Sequence, residues 1–430
     1  MIKEDFIHYL WKHKLFNFSN LKSSLGESIV VINSGSHNFN SGPDFFNGKI
    51  KIDGQLWAGN IEIHLKTSDW YVHNHEVDKA YDNVILHVVW EDDVSVYRKD
   101  NSVITTLVLQ DYVPKEMLHS YHELFSKKQT WINCENNISK IDKFTFDNWK
   151  ERLYLERLSD KSEMILNLLK QSNNDWEAVL FKLLAKNFGL KVNGEVFFNL
   201  ANSFDFSVFR KNQSKVTNLE AILFGQASLL DEDFDDAYFN SIKEEYSFLQ
   251  RKYKLKPIDK TEVKFFRLRP NNFPTIRLSQ LANLYFYQSN LFSKASSILK
   301  LDDYYDLFTV ATSEYWETHY SFKSSSKKRV KKLTKSFIDL LLINTIIPLK
   351  FVYQKYIGKL DEEEILQLIQ QIKPEKNGII DTFKTIKIEG KNAQETQALI
   401  QLKNEYCSKQ KCLQCVVGIK LIQYKSDAVT

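Results

Sequence analysis

Residues 42–66 read GPDFFNGKIKIDGQLWAGNIEIHLK, and their spacing decides what the first part of the chain is. The four residues KIKI (49–52) alternate charged and apolar side chains, the period of a half-buried strand, and Asp53-Gly54 follows at once. A type I′ turn needs positive φ at both central residues, which makes Asp-Gly a strong hairpin signal. KIKI and NIEIHLK (60–66) are therefore expected as antiparallel neighbours. Alternate residues of a strand share a face, so Glu62, His64 and Lys66 project to one side and Ile61, Ile63 and Leu65 to the other. Asp44, in a Gly-Pro-Asp corner ahead of the first arm, is folded back toward the polar side by the turn.

Working outward, SIVVINSG (28–35), NVILHVVWEDDVSVYR (83–98) and SVITTLVLQ (102–110) carry the Val, Ile and aromatic content of strands, punctuated by Gly, Asn and Asp. Beyond Pro114 apolar residues recur every three or four positions, as in 148–170, 175–190, NLEAILFGQASLL, TIRLSQLANLYFYQ and DEEEILQLIQQIK, which is helical spacing. The expected fold is α+β: a sheet-rich module over 1–114, then a mostly helical region over 115–430 whose C-terminal cysteines pack back on the first module. FIDLLLINTIIPL (337–349) reads as a buried helix too short to span a bilayer. The 43% hydrophobic content excludes a disordered chain, and 58 basic against 54 acidic side chains leave only +4, so an electrostatic footprint has to be local. The first residues, MIKEDFIHYLWKHKLF, lack the apolar core and cleavage site of a signal peptide, so a cytoplasmic protein with no membrane partner is expected.

Two carboxylates converging at one edge of a sheet are the oxygen ligands that a hard ion such as Mg²⁺ takes, along with several waters. A bound cation lowers the pKa of its water and polarises a phosphoryl group, and a lysine alongside stabilises the charge that develops. Pro43-Asp44, seventeen intervening residues, and then Glu62, His64 and Lys66 resemble the PD-(D/E)XK nuclease superfamily. That resemblance implies an α/β nuclease-like core with a mixed central sheet, in which Asp44 and Glu62 hold Mg²⁺ or Mn²⁺ beside a catalytic lysine. The pattern places lysine two residues after the acid, where this chain has His64; Lys66 follows two residues later on the same face, so either of them is the expected assistant. A broader resemblance, carried by NSGPDFFNGKI, WAGNIEIHLKTSDWYVHNH, YDNVILHVVW, RPNNFPTIRLSQLA and the cysteine-bearing C-terminus, is to an uncharacterised bacterial family with a domain of unknown function.

Seven of the ten histidines fall in the first ninety residues. His37, His73 and His75 are candidates for the mouth of the same site, and His87 inside NVILHVVW reads as a core residue. Three cysteines, Cys407, Cys412 and Cys415, form a C-x4-C-x2-C run, and Cys134 stands alone just past the sheet module. Together they make the set of four required by a tetrahedral zinc site or a cubane iron–sulfur cluster. Several nuclease branches of the superfamily carry a [4Fe-4S] cluster on one remote cysteine and a C-terminal trio, so the resemblance favours a cluster over structural Zn²⁺. Arg267, Arg269 and Arg277 around two prolines, and Lys327, Lys328 and Arg329 in the basic stretch 323–335, are candidate phosphate contacts. These features point to a metal-dependent nuclease hydrolysing phosphodiester bonds in nucleic acid, with DNA the expected form. The alternatives are a non-catalytic nucleic-acid or protein-binding scaffold and a zinc-dependent small-molecule hydrolase.

Overall fold

Asp53 (φ 47°) and Gly54 (φ 84°) both occupy the left-handed region and close the expected two-residue turn, with Ile52 opposite Gln55. Ser28 reinforces it, donating its N–H to Asp53 Oδ1 (2.8 Å) while its carbonyl accepts from Asp53 N (2.9 Å). In this computed structural model, residues 2–126, 130–259 and 262–423 are described, and the chain divides into two units, Met1–Trp149 with Leu402–Thr430, and Lys150–Gln401. The fold is α+β.

The first unit is built on seven strands: β1 (Leu21–Lys22), β2 (Ser28–Asn33), β3 (Ser36–His37), β4 (Phe45–Ile52), β5 (Gln55–Lys66), β6 (Val84–Glu91) and β7 (Thr106–Val108). Their order is β1-β2-β4-β5-β6-β7, with β3 paired to β4. Pairing is antiparallel up to β5 and parallel from β5 through β7, so the sheet is mixed. A parallel step needs a crossover of a dozen or more residues. Residues 67–83 supply it, and within them lies the one-turn helix α2 (Asp69–Val72), preceded in the chain by the N-terminal helix α1 (Glu4–His13). Both helices pack against β5. β4 carries a bulge between Phe45 and Gly48, with Asn47 at φ 60°. Gly48 has no room for a side chain, because a Cβ there would lie 2.6 Å from Ile61 Cδ1.

Both faces of β5 are covered, which the hairpin's alternation alone did not imply. Ile61 and Ile63 are fully buried, and the polar face is buried as well, Glu62 at 4% exposure and His64 at 1%. β6 is buried on both sides over Val84–Val89, the pattern of a parallel strand covered on two faces. The sequence run 83–98 does not stay a strand to its end: after Glu91 the chain turns back, because Asp93 accepts from Ser68 N (2.9 Å), Ser68 Oγ (2.8 Å) and Thr67 Oγ1 (2.8 Å). The unit also holds α3 (Lys115–Phe125), against which the helix Val416–Gln423 packs.

The boundary between the units falls inside α4 (Lys143–Gln171). The second unit continues with α5 (Trp176–Phe188), whose N-cap Asp175 accepts from Glu177 N and Ala178 N, and α6 (Leu190–Asn202). Helix Val216–Gln226 is nearly all buried, packed between Ala237–Tyr253 and Pro274–Tyr287. The apolar segment expected at 337–349 is longer than its hydrophobic letters suggested. A π-turn over Leu342–Ile346 carries the helix through to Tyr356, giving 22 residues from Lys335, long and apolar enough to cross a membrane by length and composition. In this fold 72% of its most apolar window is buried inside the unit, as in a core helix.

Candidate metal centre and basic cleft

Asp44 and Glu62 meet at the open end of the hairpin. Phe45 pairs with Ile61, which sets Asp44 beside Glu62 across the strands. Asp44 N donates to Glu62 Oε2 (3.1 Å), and Ile63 N donates to Asp44 Oδ2 (3.0 Å), so each carboxylate is held by the backbone of the other strand. His8, one turn into α1, brings Nε2 to 3.2 Å from Asp44 Oδ2. This residue was not singled out in the sequence; its signal was the spacing His8, Lys12 on an amphipathic helix.

On its other side Glu62 faces imidazoles. Oε1 lies 3.3 Å from His75 Nε2 and 3.5 Å from His64 Nε2, and His64 Nε2 lies 3.1 Å from His73 Nδ1. His64 Nδ1 contacts His87 Nε2 at 2.9 Å, and His87 is wholly buried on β6. The loop after α2 delivers the last two rings: Asn74 adopts φ 59°, and His75 N bonds back to Trp70 O at 3.0 Å. His75 is then stacked on Tyr81 at 3.7 Å. Thus His73 and His75 are part of the cluster itself, and His87 is its support.

Electrostatics here are those of charge kept out of water. Burial first, and then the charge of Asp44, push Glu62 up to about 9. Burial first, and then the neighbouring rings, pull His64 down to about 2 and His87 to about 3. A cation among these groups would reverse the first tendency by stabilising the carboxylate and reinforce the second by taking the imidazole lone pairs.

Lys66 shares the face of Glu62 and His64 but not their surroundings. It is half-exposed, and its ammonium sits 3.3 Å from Glu91 Oε2, its register partner on β6. His37 on β3 stacks on Phe45 and lies beside His8, ring centroids 5.8 Å apart. His8 and His37 also line a cavity of about 460 Å³ together with Lys3, Lys12, Lys409 and Lys411, with Asp5 the one acidic residue among the described residues that line it. Tyr9, Phe39, Tyr121 and Phe125 supply aromatic surface in the same cleft.

Cys134, Cys407, Cys412 and Cys415, separated by up to 281 positions, line one small cavity of the first unit. Burial first, and then the neighbouring thiols, raise Cys407 to about 12; burial, and then Cys415, raises Cys412 to about 11; Cys134 is pushed higher still. Burial raises Cys415 too, opposed by the backbone N–H groups of Gly418 and Val417, which point at its sulfur and favour the thiolate. Gly418 is required by this approach, since a Cβ would lie 2.1 Å from Cys412 O.

The cationic candidates of the second unit are placed differently from the expectation. Arg277 is on a buried helix face, donating to Asn272 Oδ1 (2.6 Å) and Gln280 Oε1 (2.9 Å) with its guanidinium 3.7 Å over the Phe337 ring, so it is a core residue and not a phosphate contact. Pro274 begins the helix that carries it. Arg267 lies over Phe266 at φ 64°, with Arg269 two residues on before the Pro270–Asn272 turn. Lys328 pairs with Glu317 (3.4 Å), Arg329 N bonds Glu317 O (2.8 Å), and Lys331 is buried against the carbonyls of Trp316, Glu317 and His319. The stretch around Lys327 has no helix or strand, and the helix that follows begins at Lys335.

Comparison with known proteins adds a family and nothing finer. Residues 4–378 match the model of a family described as "Protein of unknown function (DUF2851)", and the chain belongs to that family. No curated protein and no solved structure matches it.

Proposed function

We propose that this member of a family of unknown function is a metal-dependent phosphodiesterase acting on nucleic acid, with DNA the expected substrate. The observation that carries the reading is the clasp of Asp44 and Glu62 next to a basic cleft: two carboxylates fixed by each other's backbone, with His8 contacting Asp44 on one side and lining the cleft on the other. Four lysines and three histidines along that cleft suit a phosphate backbone, and its aromatic side chains suit bases. The PD-(D/E)XK resemblance, with its nuclease-like core, belongs to the same proposal, and the features it draws on are the mixed sheet and the placement of Glu62 on β5 beside Asp44, one residue ahead of β4.

Asp44 and Glu62 are the residues that would hold Mg²⁺ or Mn²⁺, and such an ion, when bound, supplies an acidified water and charge stabilisation at the phosphoryl group. His8 stands where a proton can pass between Asp44 and a substrate in the cleft. His64, not Lys66, occupies the buried position beside Glu62. The four cysteines, converging on one cavity with amide N–H groups aimed at a sulfur, fit a thiolate-ligated [4Fe-4S] cluster or Zn²⁺ with a structural role.

The test is direct. Full-length protein with Mg²⁺ or Mn²⁺ is incubated with single- and double-stranded DNA and RNA, alongside Asp44→Ala and Glu62→Gln. Cleavage by wild type that falls to background in both variants supports the reading. Intact substrates, or variants that cut as fast as wild type, reject it. The imidazole cluster favours one rival, a zinc-dependent hydrolase of small esters, which would hydrolyse an activated carboxylate ester and leave nucleic acid intact.

A further inference from the structure

We propose that His64 Nε2, His73 Nδ1, His75 Nε2 and Glu62 Oε1 are the four ligands of a Zn²⁺ site on the side of Glu62 turned away from Asp44. The inference rests on Glu62 being a metal ligand, as above, and adds the metal and its remaining donors.

Zinc held by nitrogen and oxygen at 2.0–2.1 Å in a tetrahedron has ligand–ligand edges of about 3.3–3.4 Å. Three edges of this set measure 3.1 Å (His64 to His73), 3.3 Å (His75 to Glu62) and 3.5 Å (His64 to Glu62). The three imidazole donor atoms all lie within 4.8 Å of one another. Three of the six edges therefore have the length that a zinc tetrahedron requires.

Ring orientation agrees. His87 meets His64 at Nδ1 (2.9 Å), which leaves Nε2 for the ion, the arrangement by which a second residue fixes a ligand's tautomer. His75 is clamped between Tyr81, stacked at 3.7 Å, and Trp70, edge-on at 5.4 Å. His73 is exposed and His64 buried, so an ion has a route in and a dry side to rest against. Three imidazoles select a borderline ion over Mg²⁺, which prefers oxygen. Glu62 Oε2 stays on the Asp44 side, so one carboxylate serves two neighbouring positions.

Zn²⁺ X-ray absorption and metal stoichiometry on full-length protein reconstituted with zinc test this. The cysteine site, if it takes zinc, contributes sulfur at about 2.3 Å, distinct from nitrogen and oxygen at about 2.0–2.1 Å. Expected is a nitrogen/oxygen shell that disappears in His73→Ala, with one Zn²⁺ per chain lost and affinity down by more than about 100-fold, beyond the 10–100-fold of a second-shell change. His73 is exposed, so this variant folds; His75→Ala is the second member of the series, and His87→Ala should weaken zinc by about 10–100-fold. A wild-type protein without that shell, or a His73→Ala/His75→Ala protein that keeps it, overturns the site. Hydrolysis is measured on the same samples: zinc bound but no phosphodiester cut with any cation upholds the site and removes the phosphodiesterase, whereas cleavage with Mg²⁺ and no zinc at the imidazoles does the reverse.

Discussion

Glu220→Gln should remove a pH dependence from the stability of the helical unit. Glu220 lies on helix Val216–Gln226 with no exposed surface. Its Oε1 accepts from Ser279 Oγ (2.5 Å) and Ser313 Oγ (2.8 Å), and its Oε2 from Tyr238 OH (2.8 Å). Burial raises its pKa from 4.5 to about 7 against those three hydroxyls, which favour the ionised form. A pKa raised on folding contributes stability that is fully present below the unfolded value and is lost as pH rises through the folded one. At about 1.4 kcal/mol per unit, a shift from 4.5 to about 7 is worth about 3 kcal/mol. Glutamine does not ionise; its carbonyl accepts from the two serines, and its amide donates to Tyr238, whose hydroxyl can turn to accept. The stability difference between variant and wild type should therefore move by about 3 kcal/mol in the variant's favour from about pH 4 to about pH 8. Urea titrations read by hydrogen exchange at the buried amides of this helix report the unit alone, and the subtraction cancels every other titrating group. A difference that is flat in pH would mean that the hydroxyls fully offset burial, and would refute the reasoning.

Three further outcomes follow from particular contacts. Gly225→Ala places a Cβ 2.2 Å from the Tyr246 ring, whose hydroxyl donates to Gln226 Oε1 at 2.9 Å, so overpacking should cost about 1–3 kcal/mol, read as a lower urea midpoint at unchanged slope. Lys350 is buried, donates to Ile298 O (2.6 Å) and pairs with Glu364 (2.8 Å); because Glu364 is partly exposed, Lys350→Ala should cost about 3 kcal/mol and not the top of the buried-pair range, with Lys350→Met recovering part of it in the same thermal melt. Lys66→Ala should leave phosphodiester hydrolysis within about threefold of wild type, since a half-exposed lysine bound to Glu91 provides little of the 10²–10⁴-fold expected of a positioned proton-transfer group, while His8→Ala should lose that larger factor.

What the sequence disclosed followed from local physics. The Asp-Gly turn and the two-residue alternation are short-range properties, and they placed β4, β5 and the meeting of Asp44 with Glu62. Helical spacing likewise placed α5 and the helix Pro274–Tyr287. The same alternation presented Glu62 and His64 as a face open to solvent, because their cover comes from elsewhere. His8 arrives on α1, 36 positions before Asp44, and His73 and His75 arrive through a loop whose course depends on Asn74 taking positive φ. Arg277 was read as a phosphate contact for a related reason: helical spacing placed its helix but not the cover over its face, which Phe337 supplies.

The two buried glutamates differ in how their carboxylates are satisfied, which sets Glu220 in the fold and Glu62 in the proposed site. A buried carboxylate is tolerated when fixed donors satisfy it, and Glu220 has three hydroxyls from three separate elements, so nothing is left for a ligand to complete. Glu62 is equally hidden but has one backbone donor, from Asp44, and otherwise faces imidazoles that burial keeps neutral. Those rings present lone pairs as readily as protons, and a neighbouring carboxylate raises the cost of ionising Glu62 further. Such a set is destabilising for its own sake and favourable around a cation, which accepts every lone pair that the protein cannot pair internally. Local inconsistency of this kind concentrates where folds serve function. By that criterion the proposed site centres on Glu62, between Asp44 and the three histidines.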